Sequence, residues 1–102
     1  MKKFYVAGVQ FHDSKSIQEK IKEGTELIIR SEPTNRFDPN AVALLFLDED
    51  LGDVMVGYVP AKFSGEISAL LLTAEKVTCT LTEVNLTNKT WERFKVEIKE
   101  VE

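Results

Sequence analysis

The chain has 102 residues, which suits one domain spanning residues 1–102 and leaves no room for two. Hydrophobic residues make up 43% and charged residues 29%, a balance that excludes wholesale disorder. The formal net charge is −4, so a general nucleic-acid coat or a binder of anionic membranes is disfavoured, although a small focal site is not. Cys79 is the one cysteine, so there is no disulfide framework and no multi-cysteine zinc site, and this usage fits a reducing compartment. No apolar run approaches the ~20 residues that span a bilayer. Lys2 and Lys3 precede a short apolar stretch without a cleavage pattern, which reads as a strand and not a secretion signal. The expected address is the cytoplasm, with no membrane contact.

In chain order, residues 3–10 read as a first strand. Asp13 and Ser14 can cap a short helix to about Lys22, with Ile17 and Ile21 one turn apart and Gly24 as its stop. Thr25–Glu32 reads as a second strand. The segment Pro33-Thr34-Asn35-Arg36-Phe37-Asp38-Pro39-Asn40 is a structured loop by its prolines and asparagines. Ala41–Leu47 is apolar on both faces and should be a central strand. The acidic run Asp48, Glu49, Asp50 and Asp53 reads as a solvated hairpin tip without calcium-loop spacing, followed by a return strand over Val54–Val59.

Pro60 opens a second helix, in which Phe63, Ile67 and Leu70 or Leu71 keep helical spacing. Val77, Cys79 and Leu81 alternate with threonines, and Phe94, Val96 and Ile98 alternate with charged residues. These are the last two strands, joined by a turn at Thr87-Asn88-Lys89. The expected fold is mainly β, an OB-like six-stranded small barrel with two short α-helices, closed or nearly closed so that no sheet edge is left bare.

Enzyme signals are weak. His12 is the one histidine and reads as a surface residue, Cys79 sits on a core face, and no glycine-rich phosphate loop is present. The two Asn-x-Thr sequons, at Asn85 and Asn88, read as turn residues and not glycan sites. The chain is expected to be non-enzymatic and to need no cofactor and no metal. The proline-rich loop carries the most information, and it has two readings. Phe37 can tuck against the barrel while Asp38 caps the turn, or the two can form a recognition patch of aromatic platform and hydrogen-bonding carboxylate.

Three blocks then become recognisable. Arg30-x-Glu32-Pro33-x-Asn35-x-Phe37-Asp38-Pro39-Asn40-Ala41-Val42-Ala43, Val56-Gly57-Tyr58-Val59-Pro60 before a short amphipathic helix, and Val6-Ala7-Gly8-Val9-Gln10-Phe11 resemble the HIRAN domain in order and spacing over nearly the whole chain. The resemblance implies an OB-like barrel that grips the 3′-hydroxyl end of single-stranded DNA, in repair or replication-fork processing. It places Tyr5 and Phe37 at base-stacking positions, Asp38 at the end-reading aspartate and Asn35 at a polar contact in the same loop. Arg36, Tyr58 and Lys62 complete the expected nucleic-acid-binding set.

The chain departs from the DNA-gripping pattern at Phe4, where an arginine is expected, at Pro60 and Ala61, where basic residues are expected, and at Tyr58, where a histidine is expected. These changes lower the positive potential of the groove, with Arg36, Lys62, Arg30 and Lys3 left as phosphate contacts. Two stacks at roughly 1–3 kcal/mol each support affinity on the order of micromolar with a shallow salt slope. The ATPase motor and RING finger of large relatives are absent, so no helicase, hydrolase or ligase activity carries over. The alternative reading is a protein-interaction module that uses the same groove, with a repair or replication protein as partner and weak or no DNA binding.

Overall fold

In the computed structural model, the residues described are 2–9 and 17–101. Among them, β1 (Lys2–Tyr5), β2 (Glu26–Ser31), β3 (Val42–Asp48), β4 (Gly52–Tyr58), β5 (Lys76–Val84) and β6 (Phe94–Val101) form one antiparallel sheet in the order β1-β6-β5-β2-β3-β4. Helix α1 (Ala61–Thr73) connects β4 to β5. The alternation read from the sequence explains the packing. Cys79 and Leu81 from β5, with Phe94, Val96 and Ile98 from β6, are fully buried. The continuous apolar run of β3 is buried from Val42 to Leu45, as a strand covered on both faces requires. Val6, Val9, Ile17, Ile21 and Ile67 fill the same core.

Two expectations are corrected. The sheet is not closed into a barrel by a ladder. The chain just past β1 meets the end of β4 at one antiparallel bridge, where Ala7 and Tyr58 exchange two backbone hydrogen bonds of 2.8 Å. Gly57 makes this approach possible. A Cβ there would collide with the Ala7 carbonyl oxygen and stand 2.6 Å from Val6 Cγ1.

The second correction concerns the helices. Among the described residues there is one α-helix, not two. The expected cap at Asp13 and Ser14 lies outside the described residues, as does His12. From Ile17 onward the chain makes a tight turn, in which Lys20 and Ile21 both donate to the Ile17 carbonyl. The sequence offers too few residues between this turn and Gly24 for a further helical turn.

Helix α1 starts after Pro60, whose fixed φ of −53° sets the entry. It buries Ser64 and Ile67 and stacks Phe63 on Phe4, with ring centroids 5.7 Å apart. The acidic hairpin is less solvated than its composition suggests. Asp48 is 3% exposed and accepts from Lys20 Nζ at 2.6 Å and from the backbone N–H groups of Asp50 and Leu51, so it caps the turn from inside. These bonds, that from Lys20 foremost, hold its carboxyl below the usual carboxylate range. Gly52, at φ +76°, completes the turn in a conformation that favours glycine.

Candidate nucleic-acid interface

Two cavities adjoin the Ala7–Tyr58 bridge, the first bordered by Ala7 and the second by Tyr58. The larger, about 400 Å³, is lined by Lys3, Phe4, Tyr5, Val6, Ala7, Pro60, Lys62, Phe63 and Trp91. The smaller, about 220 Å³, is lined by Asn35, Phe37, Asp38, Ala41, Tyr58, Val59 and Ala61. The expected site residues therefore divide. Tyr5 and Lys62 face the larger space, and Asn35, Phe37, Asp38 and Tyr58 face the smaller. Arg36 is exposed on the loop and lines neither.

The loop between β2 and β3 is built by its own polar side chains. Asn35 Oδ1 accepts the N–H groups of Phe37 (2.9 Å) and Asp38 (3.1 Å), the side-chain turn expected of asparagine. Asp38 Oδ1 accepts the Asn40 N–H at 2.8 Å, and Asp38 Oδ2 accepts the Ser64 hydroxyl of α1 at 2.6 Å. The aspartate thus caps the turn as the structural reading requires. Phe37 does not follow that reading: it is 96% exposed and does not pack on the sheet. Leaving a phenyl ring in water costs roughly the 1.5–3 kcal/mol its burial would return, and the rigid turn beneath it keeps it there.

Tyr58 lines the smaller cavity and is also held from within the protein. Its hydroxyl donates to Glu32 Oε1 at 2.7 Å. Burial, then this carboxylate, pushes the phenol up to about 12, so it remains a donor through the physiological range.

The larger cavity is richer than the sequence reading allowed. Nothing in the sequence singles out Trp91, because its neighbours follow no strand or helix period. A short 3₁₀ turn over Thr90–Glu92 presents it, 58% exposed, to the same space as Tyr5. Lysines accompany the rings. Lys95 lies 5.4 Å from the Tyr5 centroid, as its cross-strand partner in the β1–β6 register, and Lys89 lies 5.5 Å from the Trp91 centroid. Lys62 stands 5.1 Å from the centre of Phe63.

Of the cations expected to meet phosphate, Arg30 is paired with Asp53 and Lys3 with Glu97. Lys62 and Lys89 form no ion pair among the described residues. Phe4 is 6% exposed and belongs to the core. The inward face of β1 at that position therefore carries packing.

The Cys79 thiol is buried and pushed up to about 12 by that burial, far from nucleophilic. Among the described residues no group of His, Cys, Asp and Glu could hold a metal ion, and no helix is long and apolar enough to cross a membrane.

The HIRAN domain family matches residues 1–100. The chain belongs to the HIRAN family, whose domains are binding modules for nucleic acid and not catalysts. The fold agrees. A protein from Lactobacillus plantarum superposes with a TM-score of 0.77 at 14% identity, covering 96% of this chain and 89% of its own. The HIRAN domain of human HLTF superposes with a TM-score of 0.70 at 12% identity, covering 95% of this chain and 71% of its own. No curated protein sequence matches.

Proposed function

We propose that this HIRAN domain binds single-stranded DNA at its 3′-hydroxyl end, as a non-enzymatic module of DNA repair or replication-fork processing. The observation that carries the reading is the pairing of the fully exposed Phe37 ring with the Asp38 carboxylate, fixed on the wall of an apolar-lined pocket that has no lysine or arginine among its lining residues. A stacked terminal base would cover Phe37. Each Asp38 oxygen takes one protein donor and retains a lone pair for a ligand hydroxyl. A terminal phosphate in that place would meet a carboxylate without a compensating cation. Two unit charges ~4 Å apart cost about 4 kcal/mol at an intermediate dielectric.

The next nucleotides would run past the Ala7–Tyr58 bridge into the larger cavity, where Tyr5 and Trp91 supply ring faces and Lys62 supplies positive charge, with Lys89 beside Trp91 and Lys95, itself paired with Glu83, beside Tyr5. Fluorescence anisotropy at low salt would compare a ~10-nucleotide strand ending in a 3′-hydroxyl with the same strand ending in a 3′-phosphate. A preference of about tenfold or more for the hydroxyl is expected, given the repulsion above. Equal binding of the two overturns the role of Asp38.

A further inference from the structure

Glu32, half-buried and one residue beyond β2, does not line the smaller cavity but hydrogen-bonds two residues that do, Asn35 and Tyr58. Its Oε1 accepts two hydrogen bonds, from the Tyr58 hydroxyl at 2.7 Å and from Asn35 Nδ2 at 3.1 Å. The other end of the same Asn35 amide accepts the N–H groups of Phe37 and Asp38.

An amide can sit in either of two flips. If Asn35 turned over, its NH₂ group would face two N–H donors and its oxygen would face a carboxylate. Glu32 therefore reinforces the flip that the two N–H donors also require, and so tightens the hold on the Phe37 and Asp38 backbone. Tyr58, the second donor, is joined through its backbone to Ala7, two residues beyond Tyr5. The Glu32 contact thus ties the loop to the wall of the neighbouring groove.

We propose that Glu32 is a positioning residue of this interface: by locking the Asn35 amide it sets the orientation of Phe37 and Asp38, and so the discrimination between 3′ ends. This rests on the reading of the pocket as a 3′-end site, and the test separates the two. The first readout needs no DNA. Amide exchange of Phe37 and Asp38, measured by NMR on the free protein, should quicken several-fold in Glu32→Ala and remain close to the parent in Glu32→Gln, whose carbonyl oxygen can accept both bonds. The second readout is the ratio of affinities for the 3′-hydroxyl and 3′-phosphate strands. It should collapse toward unity in Glu32→Ala and be restored in Glu32→Gln.

Unchanged exchange in Glu32→Ala overturns the positioning role whatever the DNA result. Altered exchange in a parent protein that shows no end preference keeps the positioning role and removes the end-reading function. Should Glu32→Ala not fold, Asn35→Asp tests the same contact by setting two carboxylates face to face. The pair Asn35→Asp with Glu32→Gln restores a donor and should recover slow exchange. Failure of that recovery counts against Glu32.

Discussion

The larger cavity takes its functional rings from strands and a 3₁₀ turn, while the smaller takes its own from a loop. Tyr5 stands on β1 in register with Lys95, and Trp91 stands beside Lys89, so each ring there has a cation within 5.5 Å. Phe37 and Asp38 stand on a turn fixed by their N–H bonds to Asn35 Oδ1 and by bonds that Asp38 accepts from Asn40 and Ser64, in a pocket whose lining includes no cation. Under the proposed function, the difference gives them different work. Rings with lysines suit a stacked, negatively charged chain and are indifferent to its end. A rigid carboxylate without a cation favours a hydroxyl over a phosphate. Affinity should reside mainly in the first cavity and discrimination in the second.

The strongest way to break this division is to part the two cavities. Gly57→Ala would drive a methyl group into the Ala7 carbonyl and Val6 at the bridge that joins them. Overpacking of this kind typically costs 1–3 kcal/mol, and backbone is the part that cannot yield, so about 3 kcal/mol is expected. Thermal unfolding should fall by roughly 10 °C or more, with binding lost at both cavities together. A variant as stable as the parent would show that the bridge is dispensable.

Within a folded protein, Trp91→Ala and Asp38→Asn should separate. Trp91→Ala removes an exposed ring, so it should weaken binding by about 1–3 kcal/mol for strands of either 3′ chemistry and leave the melting temperature nearly unchanged. Asp38→Asn keeps an oxygen for the Asn40 N–H but removes the charge. It should raise affinity for the 3′-phosphate strand and bring the two affinities within about threefold, since the Coulomb penalty of ~4 kcal/mol goes with the carboxylate. Identical effects of the two variants on both strands would merge the cavities into one undifferentiated surface.

A smaller effect distinguishes the cavities by salt. Lys62→Gln and Lys89→Gln should each lower the slope of log affinity against log salt by about 0.7, the single-strand value per phosphate contact. Phe37→Ala should weaken binding without changing that slope.

How far the sequence anticipates this layout depends on the kind of signal. Alternation at Cys79 and Leu81, and at Phe94, Val96 and Ile98, marks strands directly, because burial on one face imposes a period of two. The Asn35–Asn40 turn is legible because asparagine, aspartate and proline act on their own backbone. Relations across the chain are harder to read. The Ala7–Tyr58 bridge, the Ser64 bond to Asp38 and the Lys95–Tyr5 pairing join residues 51, 26 and 90 positions apart in sequence, and no local pattern announces them. Trp91 escapes for a related reason: a lone aromatic in a turn has no periodicity to reveal it. Asp48 misleads in the opposite way. Among Glu49, Asp50 and Asp53 it reads as one more solvated charge, yet Lys20, 28 residues earlier, makes it a buried cap.

That cap supplies a control on the comparison, because Asp48 lines neither binding cavity. Its carboxyl is held below its ordinary value by the Lys20 hydrogen bond and the two backbone donors. A carboxyl with a lowered folded-state value contributes stability that is fully present above the unfolded value, near pH 3.9. That contribution is lost as the pH falls through the folded-state value. Asp48→Asn should therefore be less stable than the parent at pH 7, with a gap in urea midpoint that is constant down to about pH 5 and closes below about pH 4. DNA binding at pH 7 should be unchanged by this substitution, because the hairpin it caps lies away from both cavities. A fall in end discrimination in Asp48→Asn would mean that general loosening of the sheet, and not the Phe37–Asp38 turn alone, controls the reading of the strand end.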